Sequence, residues 1–273
     1  MKIGVFDSGY GGLSIYKSIR ERLPLYDYIY LGDNARTPYG NRSFEAIFKF
    51  TTEGVAYLFA QDCKLIIIAC NTASAKALRS IQQKILPVHY PDRRVLGIIR
   101  PSVEEIGRDT KTKVVALFAT EGTVKSESFA IEIAKHAPGI RLIQTSCPML
   151  VPLVEAGELE GPGTDYFIRK YWNETAHYSD EIDLLLLACT HYPLLLPRIR
   201  AIVPGQVRIL VQGDFVAPSL EDYLRRHPEM DSQLSRNATQ RFLTTDHTEG
   251  FDHLAEIFLG HPVLSENVEL RTI

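Results

Sequence analysis

Two segments of the chain follow the same pattern, an apolar run that ends in Ala-Cys and then a small polar residue. The first covers residues 65–74, Leu-Ile-Ile-Ile-Ala-Cys-Asn-Thr-Ala-Ser, and the second covers residues 184–193, Leu-Leu-Leu-Leu-Ala-Cys-Thr-His-Tyr-Pro. A short apolar run without polar alternation is typical of a strand that is buried on both faces of a parallel sheet. The pattern therefore predicts two buried strands whose carboxyl ends carry Cys70 and Cys189.

Apolar runs of strand length alternate with amphipathic stretches of helix length along the whole chain. Such alternation is typical of α/β proteins with mostly parallel sheets. We expect two similar, doubly wound α/β domains that face each other across a cleft. Because open α/β sheets bind ligands outside the carboxyl ends of their strands, we expect Cys70 and Cys189 to form one site from two halves.

The composition excludes several classes of protein. Of the 273 residues, 45% are hydrophobic and 23% are charged, which is ordinary for a soluble globular protein. Thirty basic and 33 acidic residues give a net charge of −3, so nothing suggests binding to nucleic acid or to an anionic membrane. The apolar runs are far shorter than the ~20 residues of a membrane helix.

Cysteine usage and the N-terminus predict a cytoplasmic protein. The four cysteines, Cys63, Cys70, Cys147 and Cys189, are too few for a disulfide framework in a chain of this length. Residues 1–7 lead directly into a strand, without an apolar signal region or a cleavage site. We expect free thiols in a reducing compartment, and we expect Cys63 and Cys147 to be structural.

A glycine-rich turn follows the first predicted strand, residues 2–6. Gly9, Gly11 and Gly12 permit a tight turn into a helix and a close approach of a ligand to the backbone. The dinucleotide pattern G-x-G-x-x-G fails, because Ser14 occupies the place of the third glycine, and the Walker lysine pattern is absent too. We therefore predict a turn that binds an anion, but not a nucleotide fingerprint.

Three mechanisms are open to a pair of thiols at strand ends. One thiolate can remove a proton from carbon while the other thiol delivers a proton to the opposite face, which is racemisation without a cofactor. Alternatively, Cys189 attacks as a nucleophile with His191 as its base, or Cys70, Cys189, His191 and Asp7 hold a metal ion. The C-x-H spacing is weak for zinc, and the spacing favours proton transfer.

Local position suggests how these thiols are activated. Cys70 and Cys189 each precede a predicted helix start, where the pKa of a thiol is expected to fall below its usual value of about 8.5. Glu155 lies in the otherwise apolar stretch 151–157. It is either a solvated helix residue or a carboxylate near the second cysteine.

Five motifs resemble those of the glutamate racemases, and they occur in the order found in that family. They are residues 6–14 (Phe-Asp-Ser-Gly-Tyr-Gly-Gly-Leu-Ser), 32–40 (Gly-Asp-Asn-Ala-Arg-Thr-Pro-Tyr-Gly), 69–74 (Ala-Cys-Asn-Thr-Ala-Ser), 151–155 (Val-Pro-Leu-Val-Glu) and 189–193 (Cys-Thr-His-Tyr-Pro). The resemblance implies a cofactor-independent racemase that interconverts L- and D-glutamate and supplies D-glutamate for peptidoglycan. It also implies a homodimer without a metal ion.

The resemblance further implies two domains and a set of roles. Residues 1–97 and 207–273 would form the first α/β domain, and residues 98–206 would form the second. By motif match, Cys70 and Cys189 would be the two acid/bases. Their assistants would be Asp7, Glu155 and His191. The substrate's carboxylates and amine would be held, partly through backbone N–H groups, by Asp7, Ser8, Tyr39, Gly40, Asn71, Thr72, Thr190 and His191.

The chain departs from the family pattern at three places. Tyr10 stands where a small aliphatic residue is usual, Ala188 stands where glycine is common, and residues 211–214, Val-Gln-Gly-Asp, do not match the usual Asp-Ser-Gly. We expect the last departure to affect C-terminal packing or a dimer surface rather than the reaction. The alternatives are an aspartate or other amino-acid racemase of the same superfamily, an amino-acid-binding protein without turnover, and a thiol hydrolase.

Overall fold

The computed structural model describes residues 1–271, which form two sheets with helices between and around them. Every described strand pairing is parallel. The strands are β1 Lys2–Asp7, β2 Tyr28–Gly32, β3 Cys63–Ile68, β4 Arg94–Gly97, β5 Val114–Ala119, β6 Arg141–Ser146, β7 Leu184–Ala188, β8 Arg208–Val211, β9 Gln240–Thr244 and β10 Ser265–Asn267. The predicted α/β fold with mostly parallel sheets is confirmed.

The first sheet has six strands in the order β10-β9-β2-β1-β3-β4, and the second has four in the order β6-β5-β7-β8. The helices are α1 Leu13–Arg22, α2 Phe44–Ala60, α3 Asn71–Lys76, α4 Leu78–Ser80, α5 Leu86–His89, α6 Ile99–Asp109, α7 Glu121–Lys125, α8 Ser128–His136, α9 Leu150–Glu155, α10 Pro162–Ala176, α11 Leu196–Ile202, α12 Gly213–Arg226, α13 Pro228–Asp231 and α14 Thr248–Leu259. Both predicted cysteine strands, β3 and β7, are interior strands of their sheets.

Alternation along β1 divides the apolar residues between two cores. Ile3 and Val5 belong to a core that continues through α1, α6 and α12 to the four-stranded sheet. Phe6 belongs to a second core, between the other face of the six-stranded sheet and α2. Side chains of β3 and β7 are buried on both faces, as the uninterrupted apolar runs predicted. β10 was not predicted, because its Ser-Glu-Asn sequence is that of a polar edge strand.

The predicted domain boundary at residue 207 is wrong, because it assigns β8 to the first domain. Arg208 to Val211 pair in register with Leu184 to Leu187 of β7, so this strand extends the second sheet. The chain returns to the first sheet only at β9, which pairs with β2. Between them, α12 packs against α1. The division into two domains remains a prediction, with residues 208–211 moved to the second of them.

The helical stretch between β3 and β4 is divided into several segments. α3 and α4 are followed by a π-helix, Ile81–Ile85, and then by α5. Pro87 lies in the first turn of α5 and has no N–H group to donate to the carbonyl four residues earlier. Among the helices of residues 1–271, none is both long enough and apolar enough to cross a membrane.

Close packing between α2 and β1 gives a test of this fold. A Cβ atom added at Gly54 would lie 2.3 Å from Cε2 of the buried Phe6. We expect Gly54→Ala to lower the free energy of unfolding by about 1–3 kcal/mol, because overpacking outweighs the better helix propensity of alanine. The measurement is urea unfolding followed by circular dichroism.

The matched control is Gly250→Ala in α14, where an added Cβ meets nothing within 4 Å. It should raise the free energy of unfolding by up to about 1 kcal/mol, because alanine is the better helix former. Equal effects of the two substitutions would contradict the tight packing of α2 against Phe6.

Candidate active site

The first half of the site lies where β1 and β3 end side by side. Phe6 and Ile68 are register partners in these strands, and Asp7 and Cys70 follow them at the same edge of the sheet. Cys70 is the N-cap residue of α3, and its Sγ atom accepts a hydrogen bond from the Ala73 backbone N–H at 3.4 Å. Both side chains are buried.

The second half lies after β7 and contains a chain of three groups. Cys189 Sγ is 4.0 Å from Nδ1 of His191, and Nε2 of the same ring is 3.1 Å from Oε1 of Glu155. Glu155 is the last residue of α9, and it is partly exposed. Phe258 of α14 packs edge-on against the His191 ring, with ring centroids 6.0 Å apart. Of the two interpretations of Glu155, the structure supports the carboxylate near the second cysteine.

The glycine turn after β1 joins the two halves. A Cβ atom at Gly11 would lie 2.4 Å from both His191 Nδ1 and Thr190 Oγ1, so this position requires glycine for close approach. Ser14 donates from Oγ to the Thr190 carbonyl oxygen at 3.0 Å. Because of these contacts, the turns that follow β1 and β7 lie against each other.

The electrostatics of Cys70 differ from the prediction. Burial, followed by the negative charge of Asp7, raises the pKa of the Cys70 thiol to about 12, and the Ser8 hydroxyl and the Ala73 N–H offset only part of this. Cys70 is therefore a protonated thiol at neutral pH. The expected lowering of its pKa is wrong, because the helix start is a weaker influence than burial next to a carboxylate.

His191 has the opposite character. Burial by itself disfavours the charged ring, but the hydrogen bonds to Cys189 and Glu155 outweigh burial and raise the pKa of His191 to about 10. The ring is therefore an imidazolium at neutral pH, and both of its nitrogen atoms are occupied by these partners. A substrate contact from His191 would have to come from its backbone.

Asp7 carries one oxygen atom that has a partner and one that has none. Oδ2 accepts from the Gly9 backbone N–H at 2.9 Å, whereas buried Oδ1 has no hydrogen-bond partner among the described residues. Burial raises the pKa of Asp7, and the positive charge of His191 opposes that rise. The free oxygen is an acceptor at the edge of the site, next to Cys70.

A second loop of the predicted site is held by a buried carboxylate. The Tyr39 hydroxyl donates to Asp33, which also accepts two bonds from Nε of Arg36, at 2.7 and 2.9 Å. The Tyr39 hydroxyl is thus already engaged, and the neighbouring Gly40 packs closely against Thr120. A substrate contact from Tyr39 or Gly40 would therefore use the backbone.

Three hydroxyl groups form a cluster, and the sequence prediction included only one of them. Thr72 Oγ1 is 2.9 Å from Thr120 Oγ1 and 3.4 Å from Thr123 Oγ1. Thr120 follows β5 directly and is the N-cap residue of α7. A signal was present, because residues 120–123 form a small polar turn at a strand's carboxyl end, the same feature that identified Cys70.

The divergent segment 211–214 reaches this site, which corrects the expectation that it affects only packing or a dimer surface. Gln212 and Asn71 pair through two side-chain hydrogen bonds, of 2.6 and 3.1 Å. Asn71 directly follows Cys70. Tyr10, another departure from the family pattern, packs instead against an aromatic ring of α14, that of Phe251, with ring centroids 5.7 Å apart.

The remaining cysteines lie in the core. Cys63 and Cys147 are fully buried free thiols, and burial raises the pKa of each, that of Cys63 to about 12. Among residues 1–271, no group of three or more His, Cys, Asp or Glu side chains is arranged to hold a metal ion.

Fold and site together define an α/β protein with one buried thiol at the end of an interior strand in each of two parallel sheets. Residues 3–213 match the family model of the Asp/Glu/hydantoin racemases. A glutamate racemase from Paracoccus denitrificans (strain Pd 1222) is 39% identical, over 98% of this chain and 100% of its own. The chain therefore belongs to the Asp/Glu/hydantoin racemase family, and its resemblance to the glutamate racemases is confirmed.

Solved structures agree with this assignment. Glutamate racemase isoform RacE1 from Bacillus anthracis has a TM-score of 0.89 at 30% identity, with 98% of this chain and 97% of that chain covered. The glutamate racemase from Francisella tularensis subsp. tularensis SCHU S4, solved in complex with D-glutamate, has a TM-score of 0.87 at 33% identity, with 100% of this chain and 98% of that chain covered.

The protonation of His191 predicts how stability changes with pH. Its pKa in the folded protein, about 10, exceeds the ordinary value of 6.5. The stabilisation from this ring is therefore complete below about pH 6.5 and is lost as the pH rises through about 10. Urea unfolding of the wild type and of His191→Asn at about pH 6, 8 and 10 should show the wild type's advantage shrinking with pH.

Glu155→Gln is the matching variant, because it removes one of the two groups that stabilise the imidazolium. The decline should then move to lower pH. A wild-type advantage that stays constant over this range would contradict a protonated His191 in the folded protein.

Proposed function

We propose that this protein interconverts L- and D-glutamate by two-base proton transfer between Cys70 and Cys189, without a cofactor. The observation that supports it most is the arrangement of two buried strand-end thiols, each with its own charged partner. Asp7 lies beside Cys70, and His191 with Glu155 lies beside Cys189. Full-length relatives named as glutamate racemases supply the substrate class.

The proposed reaction breaks one C–H bond and forms another at the same carbon. One thiolate removes the α-proton and becomes a thiol, while the bonding pair remains on the α-carbon as a carbanion. The other thiol then donates its proton to the opposite face and becomes a thiolate. After turnover the two sulfur atoms have exchanged protonation states, so the resting state is restored by proton exchange with solvent.

The two sulfur atoms have surroundings of opposite charge. His191 lies beside Cys189, with its Nδ1 atom 4.0 Å from the sulfur. Burial next to Asp7 keeps Cys70 protonated, with a pKa of about 12. We therefore propose that Cys70 rests as the thiol and is the proton donor for one of the two enantiomers.

Polar groups around the thiols match the charges of glutamate. The Oδ1 atom of Asp7, which has no hydrogen-bond partner within residues 1–271, is an acceptor for the α-ammonium group. Hydroxyl groups of Thr72, Thr120 and Thr123 are donors for a carboxylate. The α-proton of an amino acid is weakly acidic, so donors aimed at the α-carboxylate in a water-excluded site are needed to stabilise the carbanion. The Francisella relative was solved with D-glutamate bound.

The cellular role is proposed on the resemblance to the glutamate racemases. We propose that the protein is cytoplasmic, forms a homodimer and provides D-glutamate for peptidoglycan. Gel filtration with light scattering tests the homodimer. Loss of growth without added D-glutamate in a strain that lacks this gene tests the role.

The decisive experiment is incubation of the purified protein with L-glutamate in deuterium oxide, without pyridoxal phosphate. We expect optical rotation to fall to zero while the α-position of the newly formed enantiomer takes up solvent deuterium. The same assay on aspartate separates the glutamate racemase from an aspartate racemase. Tight binding of glutamate without exchange or inversion would instead indicate a binding protein.

Substitution of each thiol tests the two-base mechanism. Cys70→Ala and Cys189→Ala should each lower the rate of racemisation by more than about a thousandfold, because each removes an acid/base group. Cys63→Ala is the matched control, since Cys63 is a buried thiol at the start of β3 and belongs to the core. Full racemase activity in either site variant would rule out the two-thiol mechanism.

A further inference from the structure

Gln212 is a buried amide with three side-chain hydrogen bonds at the point where the chain leaves the second sheet. It lies between β8 and α12, and it is the N-cap residue of that helix. Its Nε2 atom donates to Asn71 Oδ1 at 3.1 Å and to Ser102 Oγ at 2.8 Å, and its Oε1 atom accepts from Asn71 Nδ2 at 2.6 Å. All three residues are buried.

We propose that Gln212 is a positioning residue that fixes the orientation of the Asn71 amide, so that Asn71 holds its remaining N–H donor in one direction for the substrate. The inference rests on the proposed function, because it assumes that Asn71 holds the substrate. It extends that function to a residue that the motif match did not include.

The Ile98 carbonyl oxygen determines the direction of these hydrogen bonds, because a carbonyl oxygen can only accept. Ser102 donates its hydroxyl to that oxygen at 2.6 Å, so the Ser102 oxygen is left to accept. Nε2 of Gln212 must then be the donor toward Ser102, which places its Oε1 atom toward the Asn71 Nδ2 group. Each bond in this series determines the direction of the next.

The result is a defined polarity at Asn71. Gln212 donates to the Asn71 carbonyl oxygen and accepts from one of the two Asn71 N–H bonds, which fixes the amide orientation and leaves the other N–H bond for another acceptor. Because Asn71 directly follows Cys70, a donor held there suits a carboxylate oxygen of the substrate. A free asparagine side chain can rotate its amide and present either group, and the lost donor would weaken the binding of an anion.

The series also connects separate parts of the fold. Ser102 belongs to α6, Gln212 begins α12, and Asn71 begins α3. A bond lost at any of these places leaves a buried amide group without a partner, at a cost that is larger than the net value of an exposed hydrogen bond.

A double-mutant cycle tests whether Gln212 acts through Asn71. Gln212→Met keeps the side-chain length and removes every hydrogen bond. We expect it to lower kcat/KM for glutamate by about tenfold, mainly through KM, because a buried amide has lost its partners. On an Asn71→Ala background, the same substitution should change kcat/KM by less than about twofold. Equal losses on both backgrounds would overturn the proposal.

Two further variants separate positioning from stability. Gln212→Asn keeps the amide on a side chain that is one methylene shorter, so it should lower kcat/KM as much as Gln212→Met does. It replaces Gln212→Met in the test if the methionine variant does not fold. Gln82→Met is the matched control, because Gln82 donates to the Val95 carbonyl oxygen of β4. It should leave KM unchanged. Thermal unfolding of each variant shows whether KM follows stability, which would contradict positioning.

A readout without substrate distinguishes this inference from the proposed function. If the wild type neither racemises glutamate nor exchanges its α-proton, the proposed function fails, and NMR still tests the pairing. The Asn71 side-chain amide should exchange its protons slowly in the wild type and rapidly in Gln212→Met. Rapid exchange in the wild type, or slow exchange in the variant, would overturn the inference.

Discussion

The contact between the glycine turn after β1 and the turn after β7 determines how the rest of the site can work. Gly11 leaves no room for a side chain, because any Cβ would overlap the His191 ring and the Thr190 side chain. This approach brings the buried Asp7 of one sheet within electrostatic reach of His191 and Glu155 from the other. Groups from two sheets thereby act as a single cluster of charges in a low-dielectric interior.

That cluster gives the two cysteines different electrostatic surroundings, although the sequences around them are similar. Cys70 and Cys189 each follow an apolar strand and an alanine, yet one lies beside a carboxylate and the other beside an imidazolium. The two sulfur atoms therefore lie beside groups of opposite charge. The proposed two-base reaction would use this asymmetry, because one sulfur must begin as a base and the other as an acid. Two identical environments would favour the same protonation state at both sulfur atoms.

The strands and the two thiols could be predicted because their signal is local. An apolar run that ends abruptly in polar residues indicates both a buried strand and the edge at which ligands bind. The raised pKa of Cys70 could not be predicted in this way, because its causes are burial and then the charge of Asp7, which lies on a neighbouring strand that is distant in sequence. Thr120 carried the same local signal but no motif, and β8 was misplaced because strand pairing depends on register rather than composition.

Gln212 shows why a departure from a motif has to be judged in three dimensions. α12 approaches α1 so closely that a Cβ at Gly213 would lie 2.3 Å from Ser18 Oγ, so the backbone beside Gln212 has little freedom to move. A shorter side chain at 212 could not span the same gap to Asn71, and the backbone could not shift to compensate. The length and the amide chemistry of the side chain at this position are therefore coupled to Asn71, the residue next to the Cys70 thiol. A departure 141 residues away from Asn71 in sequence is therefore in direct contact with the candidate site.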